Sequence, residues 1–165
     1  MNKKFEPMKA VTIIQPWATL IALRVKTLET RSWATKYRGE LAIHAGQKVD
    51  KEACLHDPIR RVLLEHGIND WRDLITGAVI AKSVLSDVWS INHPFKHGGM
   101  IERVSIDSGR SISWGGYMPD EYHFGDYSEG RFAWQLDDVV QLQEPVPAKG
   151  QLSLWNWDGK ETHAN

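Results

Sequence analysis

"IIQPWATLIALRVKTLETRSWATKYRGELAIHAG", residues 13–46, decides the fold, because its hydrophobic period changes from strand to helix and back within one short stretch. Overlapping its start, AVTII (10–14) is continuous and rich in β-branched residues, which predicts a buried strand. Gln15-Pro16 then opens a helix with proline at its first turn, where a missing N–H costs nothing. Trp17, Leu20, Ile21, Arg24 and Val25 follow the spacing of one helical face, so four apolar side chains form a stripe. The helix is expected to end near Arg24-Val25. KTLETRSW (26–33) reads as a turn leading into an extended segment. Alternation there puts Thr27, Glu29 and Arg31 on one face, with Thr30 turned away and Lys26 entering from the turn. RGELAIHAG (38–46) is the next strand, ending in a glycine turn.

Farther along, residues 50–66 follow a helical pattern with Asp50 as cap and Ile59, Val62, Leu63 and His66 on one face. GAVIAKSVLSDVWSI (77–91) is a long strand. Residues 92–130 hold nine glycines or prolines with polar residues between them, and read as a long loop region or lid. RFAWQLDDVVQLQEPV (131–146) is another strand run, AKGQLSLWNWD ends the fold, and KETHAN is expected to fray. Strands near 10–14, 28–33, 40–45, 77–91, 131–143 and 152–156 are enough to close a small barrel. The expected class is therefore α+β, a mixed β-barrel with flanking helices. No repeat or linker divides it, so one domain is expected over 1–165, with its core at about 10–157.

Composition narrows the function. The net charge of −1 excludes a global basic field, so any contact with nucleic acid must be local. A single cysteine, Cys54, excludes an internal disulfide and suits a reducing, cytoplasmic setting. PWATLIALRV is too short and too polar to span a bilayer, so no membrane partner is expected. Eight tryptophans are unusual for 165 residues; each can be core filler or edge packing, and a subset can serve as flat platforms for bases or cations.

The chain carries no dinucleotide fingerprint, P-loop, nucleophile elbow, CxxC or HExxH. His93 and His97 have a metal-like spacing but no cysteines or obvious third ligand beside them, so no metal site and no cofactor are expected; a divalent metal enters only if the chain is a nuclease. His44, at a strand end, is a candidate contact or a satisfied buried histidine. The charged stretch offers more. Lys26 beside Arg31 is pushed toward its neutral form, while Glu29 holds it charged. Such a lysine can act as nucleophile or proton carrier, and Glu29 as general base or as acceptor from a base edge. The same residues can also form a plain ion pair. In FGDYSEGRFAW (124–134), Gly125 and Gly130 bracket Asp126, Tyr127, Ser128 and Glu129. Glycine permits close approach, Tyr127 can stack and donate, Ser128 has a free hydroxyl, and Arg131 starts the next strand.

Residues 13–46 resemble the signature of the ASCH domain family, the activating signal cointegrator homology domains of the PUA-like superfamily. The resemblance rests on Gln15-Pro16-Trp17-Ala18, then Lys26, Glu29, Arg31 and Trp33, then Arg38-Gly39. "GDYSEGRFAW" and "PVPAKGQLSLWNW" resemble later strands of bacterial members. Where the family often has glycine, this chain has Arg24.

The resemblance implies a PUA-like β-barrel with a cleft beside the first helix, and RNA or a nucleoside or nucleotide as partner. Relatives divide among nucleic-acid binders, N4-acetylcytidine amidohydrolases and ribonucleases, so an enzyme is left open. The amidohydrolase Lys and Arg match Lys26 and Arg31, but its Thr falls at Glu29. On the binding reading, Trp17 and Trp33 stack, Gln15 and Glu29 read a base edge, and Arg31, Lys36 and Arg38 meet phosphates, with His44, Asp126 and Arg131 as further contacts. On the hydrolase reading, Lys26 and Glu29 carry the chemistry, supported by Tyr127 and Ser128. A protein-interaction module is the third alternative.

Overall fold

A computed structural model describes residues 7–95 and 99–160. His97 and most of the KETHAN tail lie outside the described residues. In chain order the elements are β1 (Met8–Gln15), α1 (Trp17–Ala22), β2 (Leu28–Arg31), β3 (Gly39–Val49), α2 (Ile59–Glu65), β4 (Ala78–Asn92), β5 (Ile101–Ser105), β6 (Ser111–Trp114), α3 (Asp120–His123), β7 (Phe132–Pro147) and β8 (Leu154–Trp157). The strands pair in the order β2-β7-β4-β3-β1-β8, with β5 on β4 and β6 on β5. The α+β class holds. Among the described strands this path has two ends, β2 and β8, so the pairings do not show a closed barrel. Likewise, no described helix is long and apolar enough to cross a membrane.

The chain forms two compact units. The first comprises residues up to Val25, Glu40–Ser83, and the chain from Asp138 on; the second comprises Lys26–Gly39 and Val84–Asp137. In the first unit, β1 runs parallel to β3, with Ala10 opposite Ala42, and antiparallel to β8, with Ala10 opposite Trp155. Small residues at that crossing leave room for Trp155 and Trp157, which pack with Val79 and Ala148.

Helix α1 buries Leu20 and Ile21 of the expected stripe together with Ala18 and Ala22; Trp17 is only half-buried, and the helix stops at Ala22, short of Val25. A left-handed residue ends it: Arg24 has φ 63°. The Arg24 N–H donates to Ile21 O at 2.9 Å and the Val25 N–H to Leu20 O at 3.1 Å, the paired bonds of a Schellman cap. Position 24 is where glycine would sit without strain. Arg24→Gly is expected to relieve about 1 kcal/mol of backbone strain and to lose about half of that to the freer unfolded chain. A small upward shift of the urea midpoint at unchanged slope is the check.

The single helix expected over 50–66 is broken. Pro58 lacks an N–H and restricts Asp57, so a 3₁₀ turn at Ala53–Leu55 precedes α2. Asp50 still caps, accepting from Ala53 N–H at 2.9 Å. Ile59, Val62 and Leu63 are buried as expected, whereas His66 is exposed.

The second unit corrects the long loop expected over 92–130. IERVS (101–105) alternates buried and half-buried residues, and pairs with β4 and β6 as an antiparallel hairpin. The glycines around it mask that short period. Leu28, Trp89, Ile91, Ile101, Tyr127 and Ala133 form the core here, with Trp114, Met118 and Tyr122 packed against it.

Candidate functional site

Strand β2 lies antiparallel to β7, with Glu29 opposite Trp134 and Arg31 opposite Phe132. Alternation turns Glu29 and Arg31 to one face and Leu28 and Thr30 to the other. Lys26 precedes the strand, and no part of it is exposed. Its ammonium donates to Leu28 O at 2.6 Å and to Phe124 O at 2.8 Å, a residue 98 positions away. Glu121 completes this edge: its carboxylate accepts from Thr27 N–H at 3.0 Å, Leu28 N–H at 2.9 Å and the Thr27 hydroxyl at 3.1 Å. A lysine and a glutamate thus occupy the backbone groups that β2 turns away from β7.

Glu29 is different. Its Oε1 lies 4.0 Å from the Lys26 ammonium and its Oε2 lies 3.8 Å from the Arg31 guanidinium. Neither distance is a hydrogen bond. Among the described residues nothing donates to this carboxylate, which is 7% exposed. Burial pulls the Lys26 amine below its ordinary value; Glu29 and Glu121 oppose that shift, and Arg31 adds to it. The ion pair expected at 26–31 therefore exists in a loose form, with lone pairs to spare on Glu29.

Trp33 stands half-buried just past β2. Its ring meets Trp134 edge-on, centroids 4.7 Å apart, and the Trp134 indole N–H donates to Trp33 O at 3.3 Å. Trp134 is fully buried and fixes both the ring and the backbone of Trp33. Lys36 is exposed. Arg38 grips Asp107 through Nε and Nη2 at 2.8 and 3.0 Å, and its Nη1 donates to Thr35 O and Tyr37 O. All three guanidinium nitrogens are engaged, two on Asp107 and one within the 35–38 turn.

The turn at 125–131 approaches the other face of β2. Asp126 N–H donates to the Thr30 hydroxyl at 3.0 Å. A side chain at Gly125 would put its Cβ 2.9 Å from Thr30, so only glycine allows this approach. Asp126 accepts from the Ser128 N–H and hydroxyl, which hold its carboxyl below its ordinary value, and Arg131 Nε donates to Asp126 O at 3.1 Å. The Ser128 hydroxyl is thus already committed to Asp126. Tyr127 is 3% exposed, close to Tyr122 and Trp114. A cavity of about 360 Å³ beside it is lined by His93, Tyr122, His123, Gly125, Asp126, Tyr127 and Ser128.

Gln15, Trp17 and His44 belong to the first unit. Gln15 is fully buried, donating to Ile75 O at 2.7 Å and accepting from Thr19 N–H at 3.0 Å, which steadies the start of α1. Trp17 is half-buried. His44 is 1% exposed, bonded to Ala148 O at 2.7 Å, and burial lowers its proton affinity. Among the described residues no three acidic, histidine or cysteine side chains converge as a metal would require. Sequence reasoning missed Glu121, whose only signal was an acidic residue in a short helix start after Pro119.

A model of the ASCH domain matches residues 11–126, well over half of the chain. No curated protein matches it. Lys26, Glu29, Arg31 and Trp33 all lie inside the matched span, and the chain belongs to the ASCH domain family.

Proposed function

We propose that this chain binds RNA or a nucleotide, with a base stacked on Trp33, Glu29 accepting from the base's amino groups, and Arg31 near a phosphate. The observation that carries the reading is the Glu29 carboxylate: buried between two cations, accepting no hydrogen bond, and paired across the sheet with Trp134, whose ring meets the half-buried Trp33. A splayed base needs such an acceptor and such a platform. The PUA-like barrel and a cytoplasmic setting belong to the same reading, resting on the family match and the single cysteine.

Hydrolysis is the weaker reading. A nucleophilic lysine needs a free lone pair facing its substrate, whereas Lys26 is enclosed and donates to two carbonyls.

Tryptophan fluorescence with short single-stranded RNA at low salt is the test. Glu29→Gln and Trp33→Ala are each expected to weaken binding by about 1–3 kcal/mol. Absence of wild-type binding at low salt ends the reading. Cleaved or deacylated product, abolished in Glu29→Gln, would replace it with the hydrolase.

A further inference from the structure

Arg103 points from β5 into the core of the second unit and is 9% exposed. Its guanidinium lies over the Trp114 ring at 4.3 Å and over Trp89 at 5.5 Å. Those π faces favour the cation but match none of its five directional N–H donors to an oxygen. Among the described residues no oxygen accepts from Arg103, no carboxylate pairs with it, and its Nε is wholly enclosed. Tyr127 supplies a second unmatched donor, for its buried hydroxyl has no partner either. The two groups meet the same ring: Arg103 lies over Trp114, and Tyr127 meets Trp114 with ring centroids 5.0 Å apart. Buried polar groups in folded proteins are matched or used, so a pair of neighbouring exceptions points to a missing ligand.

We propose that Arg103 and Tyr127 form a buried oxyanion site that takes a phosphate group. Phosphate offers several acceptor oxygens, which suit the fork of an arginine together with a phenol hydroxyl. Glu121 acts on both residues, yet its own oxygens accept from Thr27 and Leu28. Trp114, Met118 and Tyr122 pack half-buried against this core. Glu29 lies on the face of β2 opposite Leu28, which belongs to the core that holds Tyr127, although the Glu29 charge still reaches the Tyr127 phenol. The phosphate site does not depend on the RNA reading. A nucleotide phosphate and free phosphate are the two sources of the group.

Thermal melts in chloride buffer, titrated with inorganic phosphate, a mononucleotide or a short RNA, test the proposal on wild type, Arg103→Met and Tyr127→Phe. Wild type is expected to gain melting temperature saturably with phosphate. Arg103→Met should melt no lower than wild type without phosphate, because an apolar side chain replaces an unmatched buried charge, and should lose the response. Tyr127→Phe should weaken it by about tenfold or less. Half-saturation by the mononucleotide or the RNA well below that of phosphate assigns the group to a nucleotide or RNA; equal values assign free phosphate. An equal response in Arg103→Met, or none in wild type, overturns the proposal. If Arg103→Met does not fold, Arg103→Lys decides, since an undiminished response without the guanidinium fork also overturns it. If wild type binds no RNA yet gains melting temperature saturably with inorganic phosphate, the RNA reading fails and this one stands.

Discussion

Lys26→Met is expected to lower unfolding free energy by about 3–5 kcal/mol, because it strips one partner from a buried charged group. The methionine fills similar volume, so packing is nearly kept. What goes is the ammonium that joins Leu28 O to Phe124 O, together with the cation beside Glu29 Oε1. Two buried carbonyls then lack a donor and one carboxylate keeps only Arg31. Adding Glu29→Gln should restore part of the loss, and a double-mutant cycle by urea unfolding measures that coupling. A loss below about 1 kcal/mol would show that Lys26 is no strut, and would return it to the list of catalytic candidates. The pH dependence carries the same signature. Burial sets the folded Lys26 below its ordinary 10.5, so between those two values the unfolded chain binds more protons and stability rises with pH. Tyr127 acts oppositely. Burial and Glu121 raise its phenol above the ordinary 10.0, so beyond that pH the unfolded chain loses a proton that the folded one keeps, and stability falls. Lys26→Met should flatten the rise and leave the fall.

Trp134→Ala is expected to cost about 3–5 kcal/mol and to disable Trp33 as well. Trp134 is fully buried, pairs across the sheet with Glu29, meets Trp33 edge-on and donates to its carbonyl. Trp134→Phe keeps a ring in place and loses the N–H, so it should cost about 1–2 kcal/mol while retaining much of the RNA affinity. Equal loss of RNA affinity in both variants would mean that the edge contact does not position Trp33. Unfolding curves and fluorescence titration on the same preparations separate stability from binding.

What could be read from sequence was whatever depends on near neighbours. The β-branched run at 10–14, the apolar stripe of α1, and the alternation that puts Glu29 and Arg31 on one face of β2 all follow from local period. The order of residues between Gln15 and Gly39 was enough to indicate the ASCH family. The same local reading failed at Pro58, where it ran a helix through a residue that cannot propagate one, and at 101–114, where turn glycines concealed a two-residue period.

The character of the candidate site was decided by tertiary structure, because its partners are remote in the chain. Lys26 is a strut because Phe124 lends a carbonyl from 98 residues away, and the edge of β2 is closed because Glu121 arrives from 93 and 94 residues away. Ser128 is committed to Asp126 rather than free, and Arg38 to Asp107 rather than open. Glu29 illustrates the division best. Sequence supplied its charge and its face; only the folded chain, by holding both cations just beyond hydrogen-bonding distance, left its carboxylate with lone pairs to offer.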